Sequence, residues 1–284
     1  MPMAWWSTIR NSAGVPDRHG VRRLLVLWDV DYTLVNAGGV GMQLYRIAFA
    51  EMFGGEPPRP PPMAGRTDRA ITLEVLALAG IPDPRRHVAA FETVMAAHAP
   101  ELADLIRERG SALPGAARAL AAIALAGADG AGAGADGVEA GGVEAGGAGG
   151  GGGHRAQPVI QALLTGNIRP LAEVKLGALG LTDHLDLDVG AYGDVHELRF
   201  ELVGPARRKA ALAYGGDFGG EATVLVGDTP LDIEAALVTG ARAVGVATGS
   251  FSVAELTAAG AHAVLPDLTD TDRVLAAILA RPGT

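Results

Sequence analysis

Two aspartates, Asp29 and Asp31, directly follow an apolar run at 24–28, near the start of the 284-residue chain. A continuous apolar run of this length is typical of a buried strand in a parallel sheet. The end of such a strand is where open α/β sheets bind their ligands. The spacing therefore points to a reaction that needs two carboxylates on one turn of the chain.

Polar residues also end two later segments that have the composition of strands. The segment PVIQALLT ends at Thr165 and continues into Gly166 and Asn167, and the segment ATVLVG is followed by Asp228. The carboxyl ends of parallel strands lie at one edge of a sheet. The sequence therefore predicts that these residues share one site with the first aspartate pair.

A metal ion is expected between the aspartates. At ~4 Å and an effective dielectric near 20, Asp29 and Asp228 would repel each other by about 4 kcal/mol. A hard divalent cation offsets this repulsion, and carboxylate and carbonyl oxygens suit Mg²⁺. Asp232 lies four residues after Asp228 on a predicted helix, where it can orient the surroundings of the metal or a basic residue.

This combination of metal and carboxylates favours a phosphate substrate. A metal ion beside an anionic nucleophile shields the attack of one anion on another. The hydroxyl of Thr165 and nearby backbone amides can hold phosphate oxygens, and a lysine or arginine can neutralise the remaining charge. The expected partner is a small phosphorylated molecule.

The arrangement of predicted elements is that of an α/β fold. Strands alternate with helices of 10–15 residues in the second half of the chain, which predicts a doubly wound parallel sheet with helices on both faces. The predicted α/β core covers 21–37 and 113–284, and an inserted all-helical domain covers 38–112. Residues 1–20 are predicted to be a disordered tail. The segment 127–153, rich in glycine, is predicted to be a flexible loop, because it cannot bury enough apolar surface to offset its ordering entropy.

Composition excludes several other functions. The formal net charge of −9 argues against a general nucleic-acid-binding surface. The chain has no cysteine, so disulfides, thiolate metal sites and a cysteine nucleophile are excluded. No apolar run approaches the ~20 residues that cross a bilayer, and the first residues lack the apolar core of a signal peptide. We therefore expect a cytoplasmic protein with no membrane or nucleic-acid partner. The sequence carries no indication of the oligomeric state.

Three short motifs resemble those of the haloacid dehalogenase-like (HAD) superfamily. They are DVDYTL at 29–34, LLTGN at 163–167 and GDTPLD at 227–232, and the segment LPGAARAL at 113–120 is also similar. The resemblance implies a Rossmann-like core with a helical cap inserted after the first strand. The residues of the motifs are most similar to those of phosphoglycolate phosphatase-type members.

The resemblance also implies roles for the two leading aspartates. Asp29 would be the nucleophile that forms an aspartyl-phosphate. Asp31 would be the general acid that protonates the leaving oxygen and then the base that activates water. Mg²⁺ would be held by Asp29, Asp31 and Asp228. Because relatives that cleave carbon–halogen bonds lack an acid at the second position, Asp31 favours phosphoryl transfer over dehalogenation.

The third motif of the superfamily, a basic residue that is usually a lysine before proline, has two candidates. Arg199 lies just before a predicted helix, where the lysine of the superfamily would fall. Lys175 lies inside the helix that follows LLTGN. We favour Arg199, because a lysine in the middle of a helix is more often on a solvated face, although Lys175 could also reach into the site.

The helical insertion is expected to select the substrate. By the resemblance, the segment AGRTD at 64–68 is the cap loop that reaches toward the site, and Arg66 could pair with a carboxylate of the substrate. The alternative is a helix start capped by Thr67 or Asp68, with Arg66 in solvent. The expected function is a Mg²⁺-dependent phosphatase for a phosphoglycolate-like metabolite. A sugar-phosphate mutase and a non-catalytic binding protein of the same fold are the alternatives.

Overall fold

The computed structural model of the chain describes residues 23–59, 61–128 and 158–280. The predicted tail at 1–20 and most of the predicted glycine-rich loop, 129–153, lie outside these residues.

Seven strands occur in the described residues, and five of them form one parallel sheet in the order β4-β1-β5-β6-β7. The strands are β1 (Leu24–Trp28), β2 (Val35–Asn36), β3 (Ser111–Ala112), β4 (Val159–Leu163), β5 (Thr223–Gly227), β6 (Arg242–Val246) and β7 (Ala263–Leu265). The helices are α1 (Val40–Phe53), α2 (Asp68–Leu78), α3 (Arg85–His98), α4 (Ala103–Arg109), α5 (Ala116–Ala128), α6 (Arg169–Ala178), α7 (Val203–Tyr214), α8 (Pro230–Val238), α9 (Val253–Ala258) and α10 (Thr271–Leu279).

The sheet is covered by helices on both faces, as the alternation of strands and helices predicts. Successive residues of a strand point to opposite faces. Val26 and Trp28 of β1 pack in a layer with α5 and α10, whereas Leu25 and Leu27 pack in a layer with α7, α8 and α9. Every residue of β1 is buried, which explains why its sequence is continuously apolar rather than alternating.

The strand order places a crevice at the carboxyl ends of β1 and β5. From β1 the chain continues in the core to β4 on one side, and from β5 it continues to β6 on the other side. Adjacent strands whose connections leave in opposite directions form the switch point at which doubly wound sheets bind ligands. Asp29 and Asp228 directly follow these two strands.

Helices α1 to α4 form a block between β2 and β3, which we call the cap block (40–109). Strands β2 and β3 pair antiparallel, with Val35 opposite Ala112, so the two connections between the core and the cap block run side by side. The cap block has its own apolar core, and Ile168 and Leu171 at the start of α6 pack into it. Helix α6 therefore lies between the cap block and the sheet.

Two local predictions differ from the structure. The composition of the segment 184–193, HLDLDVGAYG, predicts a short strand there, but only Ala191 bridges to Leu164. The side chain of Asp186 accepts hydrogen bonds from the backbone N–H groups of Asp188 and Val189, which turns the chain before a ladder can form. Helix α5 also extends to Ala128, two residues into the segment predicted as a loop. Within the described parts of the chain, we find no helix with the length and apolar character needed to cross a membrane.

Candidate active site

Asp29 lies at the centre of the crevice. Its N–H donates to the carbonyl of Val226 at 2.8 Å, so it extends the hydrogen-bond ladder between β1 and β5 by one residue. Only 5% of the residue is exposed. Burial raises the pKa of its carboxyl group to about 6, and the neighbouring Arg199 opposes this rise. The carboxylate is thus held in a largely dry position beside a cation.

Asp228 and Asp232 face Asp29 from β5 and α8. Carboxylate oxygens of the three residues lie within 4.8 Å of one another, and all three residues are buried. Asp232 is fixed by a capping box at the start of α8, because its Oδ2 accepts from the N–H and the hydroxyl of Thr229 at 3.0 and 2.7 Å. A Cβ at Gly227 would overlap the carboxyl carbon of Asp232. The last residue of β5 must therefore be glycine for α8 to approach this closely.

Arg199 bridges the carboxylates of the crevice. It lies in a short 3₁₀ turn, Arg199–Leu202, that leads into α7. Its Nη2 lies 2.7 Å from Oδ1 of Asp29 and 2.6 Å from Oδ1 of Asp232, and it also donates to the carbonyl of Leu164 at 3.0 Å. Burial lowers the pKa of the guanidinium, but Asp232 and Asp29 outweigh burial and hold that pKa above its ordinary value. The cation that the sequence favours thus contacts the expected nucleophile directly.

Asp31 lies in a second polar cluster with its own cation. The Nζ of Lys175 lies 2.7 and 2.6 Å from its two carboxylate oxygens, and the amide of Asn167 donates to its Oδ2 at 2.8 Å. Asn167 in turn donates to the hydroxyl of Thr165 at 2.9 Å. The structure therefore brings the residues of the LLTGN motif to Asp31.

The expectation that Lys175 lies on a solvated face is wrong in this structure. The residue is only 3% exposed. The buried positions of α6 are Leu171, Ala172, Lys175 and Leu176, so Lys175 belongs to the inward stripe of the helix. The signal was present in the sequence, because positions four residues apart share one face of a helix.

The residues of the crevice fit a magnesium ion. Among the described residues, no side chain donates a hydrogen bond to the carboxylate of Asp228. Burial, followed by repulsion from Asp29 and Asp232, raises the pKa of Asp228 to about 9. A hard divalent cation offsets these costs, and carboxylate oxygens are its preferred ligands. Because Arg199 and Thr229 already engage both oxygens of Asp232, Asp29 and Asp228 are the side chains best placed to hold the ion.

The carboxylate of Asp31, the third expected metal ligand, lies apart from those of Asp29 and Asp228. The carboxylate of Asp31 is not among the three that converge in the crevice, because Lys175 and Asn167 hold it. Asp232 takes the third place in the cluster, where it contacts Arg199.

The cap loop lies against the core at this site. The N–H of Asp68 donates to the carbonyl of Gly166 at 2.6 Å, and the N–H of Arg69 donates to that of Gly193 at 3.1 Å. A Cβ at Gly166 would overlap the carbonyl oxygen of Arg66. This close approach explains why glycine stands in the middle of the LLTGN motif.

The side chain of Arg66, which the sequence predicts could pair with a substrate carboxylate, has other partners in the structure. Its backbone touches the site, but its side chain pairs with Glu74 at 2.7 Å and donates to the carbonyl of Pro62 at 3.0 Å. The hydroxyl of Thr67 caps α2 by accepting from the N–H of Ala70. The guanidinium of Arg66 is therefore bound within the cap block in this state of the molecule.

Comparison with known proteins agrees with this architecture. Residues 204–271, which include Asp228 and Asp232, match the family model described as HAD-hydrolase-like. No curated protein matches the chain significantly.

Three solved structures illustrate the fold. A predicted phosphatase from Clostridium acetobutylicum superposes with a TM-score of 0.55 at 14% identity, covering 89% of this chain and 98% of that one. A putative beta-phosphoglucomutase from Bacteroides vulgatus gives 0.54 at 14% identity, covering 92% and 93%. CbbY from Rhodobacter sphaeroides, solved in complex with phosphate, gives 0.52 at 18% identity, covering 87% and 95%. At these identities the likenesses establish the fold.

The parallel sheet with its carboxylate crevice and the inserted helical block define an α/β fold with a cap. Residues 204–271 of this fold are similar to the HAD-hydrolase-like family model.

Proposed function

We propose that this protein is a Mg²⁺-dependent phosphatase of small phosphorylated metabolites, with phosphoglycolate as the leading substrate. The observation that carries the proposal is the convergence of Asp29 and Asp228, both buried, at the switch point of the sheet. A second aspartate, Asp31, lies two residues further along the chain. Hydrolysis of a phosphate ester uses this combination of one nucleophile and one proton carrier.

The reaction runs in two steps through Asp29. Its carboxylate oxygen attacks phosphorus, the bond from phosphorus to the ester oxygen breaks, and Asp31 gives a proton to the leaving oxygen. A water molecule then gives a proton to Asp31 and attacks the phosphorus. The bond to Asp29 breaks, and inorganic phosphate leaves.

The other residues of the crevice hold these reacting groups. Arg199 fixes the rotamer of Asp29 through Nη2, and Asp232 holds Arg199 from the opposite side. The hydroxyl of Thr165 and the backbone around Gly166 would bind phosphate oxygens. When bound, Mg²⁺ held by Asp29 and Asp228 would neutralise charge on the phosphoryl group and lower the repulsion between it and the nucleophile.

The cap loop favours a small leaving group. It contacts the core at Gly166 and Gly193 through backbone hydrogen bonds, so the space beside Asp31 is bounded by the cap block. A carboxylate on the leaving group would compete with Glu74 for Arg66. The choice of phosphoglycolate, which carries a carboxylate two atoms from its ester oxygen, therefore rests on the resemblance of the short motifs and not on an observed contact of Arg66.

A sugar-phosphate mutase is the alternative that the same residues permit. A mutase returns the phosphoryl group to a second oxygen of the sugar, whereas a phosphatase releases inorganic phosphate. The product therefore separates the two proposals.

The test measures phosphate release from a panel of phosphoglycolate, other small phosphate esters and hexose phosphates, with Mg²⁺ or with EDTA. We expect release that requires Mg²⁺ and is fastest with a small ester. Asp29→Asn should reduce turnover by at least about 10³-fold, because the amide cannot act as the nucleophile. Asp183→Asn, an exposed aspartate of the core, is the matched control.

Two results would contradict the proposal. The first is full activity in Asp29→Asn. The second is transfer between hexose-phosphate positions without phosphate release, which would establish the mutase.

A further inference from the structure

The chain contains only two lysines, Lys175 and Lys209, and one of them is almost fully buried beside the reacting groups. Lys175 is 3% exposed. Cap helix α1 lies over its ammonium group, because a Cβ at Gly41 would stand 4.0 Å from Nζ. Burial of an ammonium group is costly unless well-placed acceptors compensate for the lost water. The hydrogen-bond partners of Lys175 therefore indicate the role of its charge.

All the hydrogen-bonding capacity of this ammonium group is used within the protein. A lysine has three N–H donors and no acceptor. The three acceptors are Oδ1 of Asp31 at 2.7 Å, Oδ2 of Asp31 at 2.6 Å and Oδ1 of Asn167 at 2.7 Å. No donor remains for a phosphate oxygen, so Lys175 is not arranged as a substrate-binding cation.

The two buried cations of the site serve different aspartates. Arg199 contacts Asp29 and Asp232, and Lys175 contacts Asp31. Asn167 completes the second arrangement, since its amide nitrogen donates to Asp31 and its amide oxygen accepts from Lys175. Asp31 thus sits in a closed triangle of side chains that fixes the direction of its carboxylate.

Helix α6 supplies this lysine from a fixed position. The Oδ2 of Asp68, a residue of the cap block, accepts from the N–H of Ile168 at 2.8 Å, directly before the first turn of α6. The Oδ1 of Asp68 accepts from the hydroxyl of Tyr45 at 2.8 Å. The start of α6 is therefore held by the cap block, which limits the positions that the ammonium group of Lys175 can reach.

We propose that Lys175 is a positioning residue for the proton-transfer step, and that it acts by holding the Asp31 carboxylate toward the leaving oxygen. This inference rests on the proposed phosphatase function. It assigns the two candidate cations to separate tasks: Arg199 orients the nucleophile, and Lys175 orients the proton carrier.

The test uses the demand of the leaving group for a proton. A poor leaving group such as an alkoxide needs a proton as the ester bond breaks, whereas 2,4-dinitrophenolate leaves without one. We expect Lys175→Met to lower kcat with an alkyl phosphate by about 10- to 100-fold, part of the effect of general acid catalysis. With 2,4-dinitrophenyl phosphate the formation of the aspartyl-phosphate, followed as a burst of dinitrophenolate, should change less than about 3-fold.

A double-mutant comparison checks that the effect passes through Asp31. Asp31→Asn should show the same selectivity for the leaving group, with a larger loss. Adding Lys175→Met to Asp31→Asn should cause little further loss with the alkyl phosphate, because the two changes remove one function. Lys209→Met is the matched control, since Lys209 binds the carbonyl of Gly190 outside the site. Lys175→Gln, which retains a donor, replaces Lys175→Met if the latter does not fold.

Three results would overturn this inference. One is an equal loss with both substrates, another is a rise in KM with kcat unchanged, and the third is full additivity of the two changes. Failure of the proposed function itself is distinct, because the unmodified protein would then release no phosphate from any ester.

Discussion

Because three carboxylates lie close together in the crevice, we expect the metal-free protein to become more stable when one of them is neutralised. The pKa of Asp228 is about 9 in the folded state, against an ordinary value of 3.8. At pH 7 the folded state therefore binds a proton that the unfolded state has released. By linkage, this proton uptake lowers the free energy of unfolding by ~4 kcal/mol. The figure is 1.36 kcal/mol per pH unit over the roughly three units between the ordinary pKa of 3.8 and pH 7.

Asp228→Asn removes this cost while it keeps the shape of the side chain. We expect the variant to be more stable than the unmodified protein by about 1 to 4 kcal/mol in EDTA at pH 7. At ~2–4 °C per kcal/mol for a domain of this size, the midpoint of thermal unfolding should rise by roughly 2 to 16 °C. Asp183→Asn, an exposed substitution, should leave the midpoint within about 1 °C, as is usual for surface changes.

The pH dependence follows from the direction of the shift. The contribution of an acid whose folded pKa is raised is favourable below the unfolded pKa of 3.8 and is lost as the pH rises toward about 9. The stability gained by Asp228→Asn should therefore shrink toward pH 4 and grow toward pH 9. Calorimetry in EDTA over this range measures it.

Mg²⁺ should reverse the order of stability of the unmodified protein and Asp228→Asn. A ligand that binds only the folded state adds stability in proportion to the logarithm of its concentration above Kd. The unmodified protein should gain from Mg²⁺, and Asp228→Asn should gain less. A variant that is less stable than the unmodified protein in EDTA at pH 8 would refute the reasoning, because it would show that the carboxylates are not in net repulsion.

Two further changes test how the crevice is held together. Gly227→Ala should lower the free energy of unfolding by about 1–3 kcal/mol, a typical cost of overpacking, because the new methyl group overlaps the carboxyl carbon of Asp232. Chemical denaturation measures this loss, and an unchanged midpoint would argue against the close packing. Arg199→Met should destabilise the metal-free protein by about 3–5 kcal/mol, because Asp29 and Asp232 lose their buried partner. Arg199→Lys should recover part of this loss. A Met variant as stable as the unmodified protein would show that the ion pairs contribute little to stability.

The sequence predicted much of the fold because its signals are local. The apolar runs of β1 and β5 favoured buried strands, and the order of strands and helices predicted a sheet covered on both faces. The same order placed Asp29 and Asp228 at one edge of the sheet. The expected strand within 184–193 did not form, since Asp186 turns the chain through its own side chain.

The resemblance to the HAD superfamily, carried by three short motifs, agrees with the fold and with the match over 204–271. It did not determine which side chains meet. The sequence offered Lys175 and Arg199 as alternatives for one task, but the structure buries both and gives each a different aspartate.

By itself, the sequence determined the residue types and the strand ends that carry them, because local periodicity and the rules of parallel sheets fix those features. Only the tertiary structure decided the partners: Arg199 reaches Asp29 across the start of α7, and Lys175 reaches Asp31 from the second turn of α6. Such pairings depend on helix rotation and on contacts between residues 100 or more positions apart. No local pattern in the chain encodes those distances.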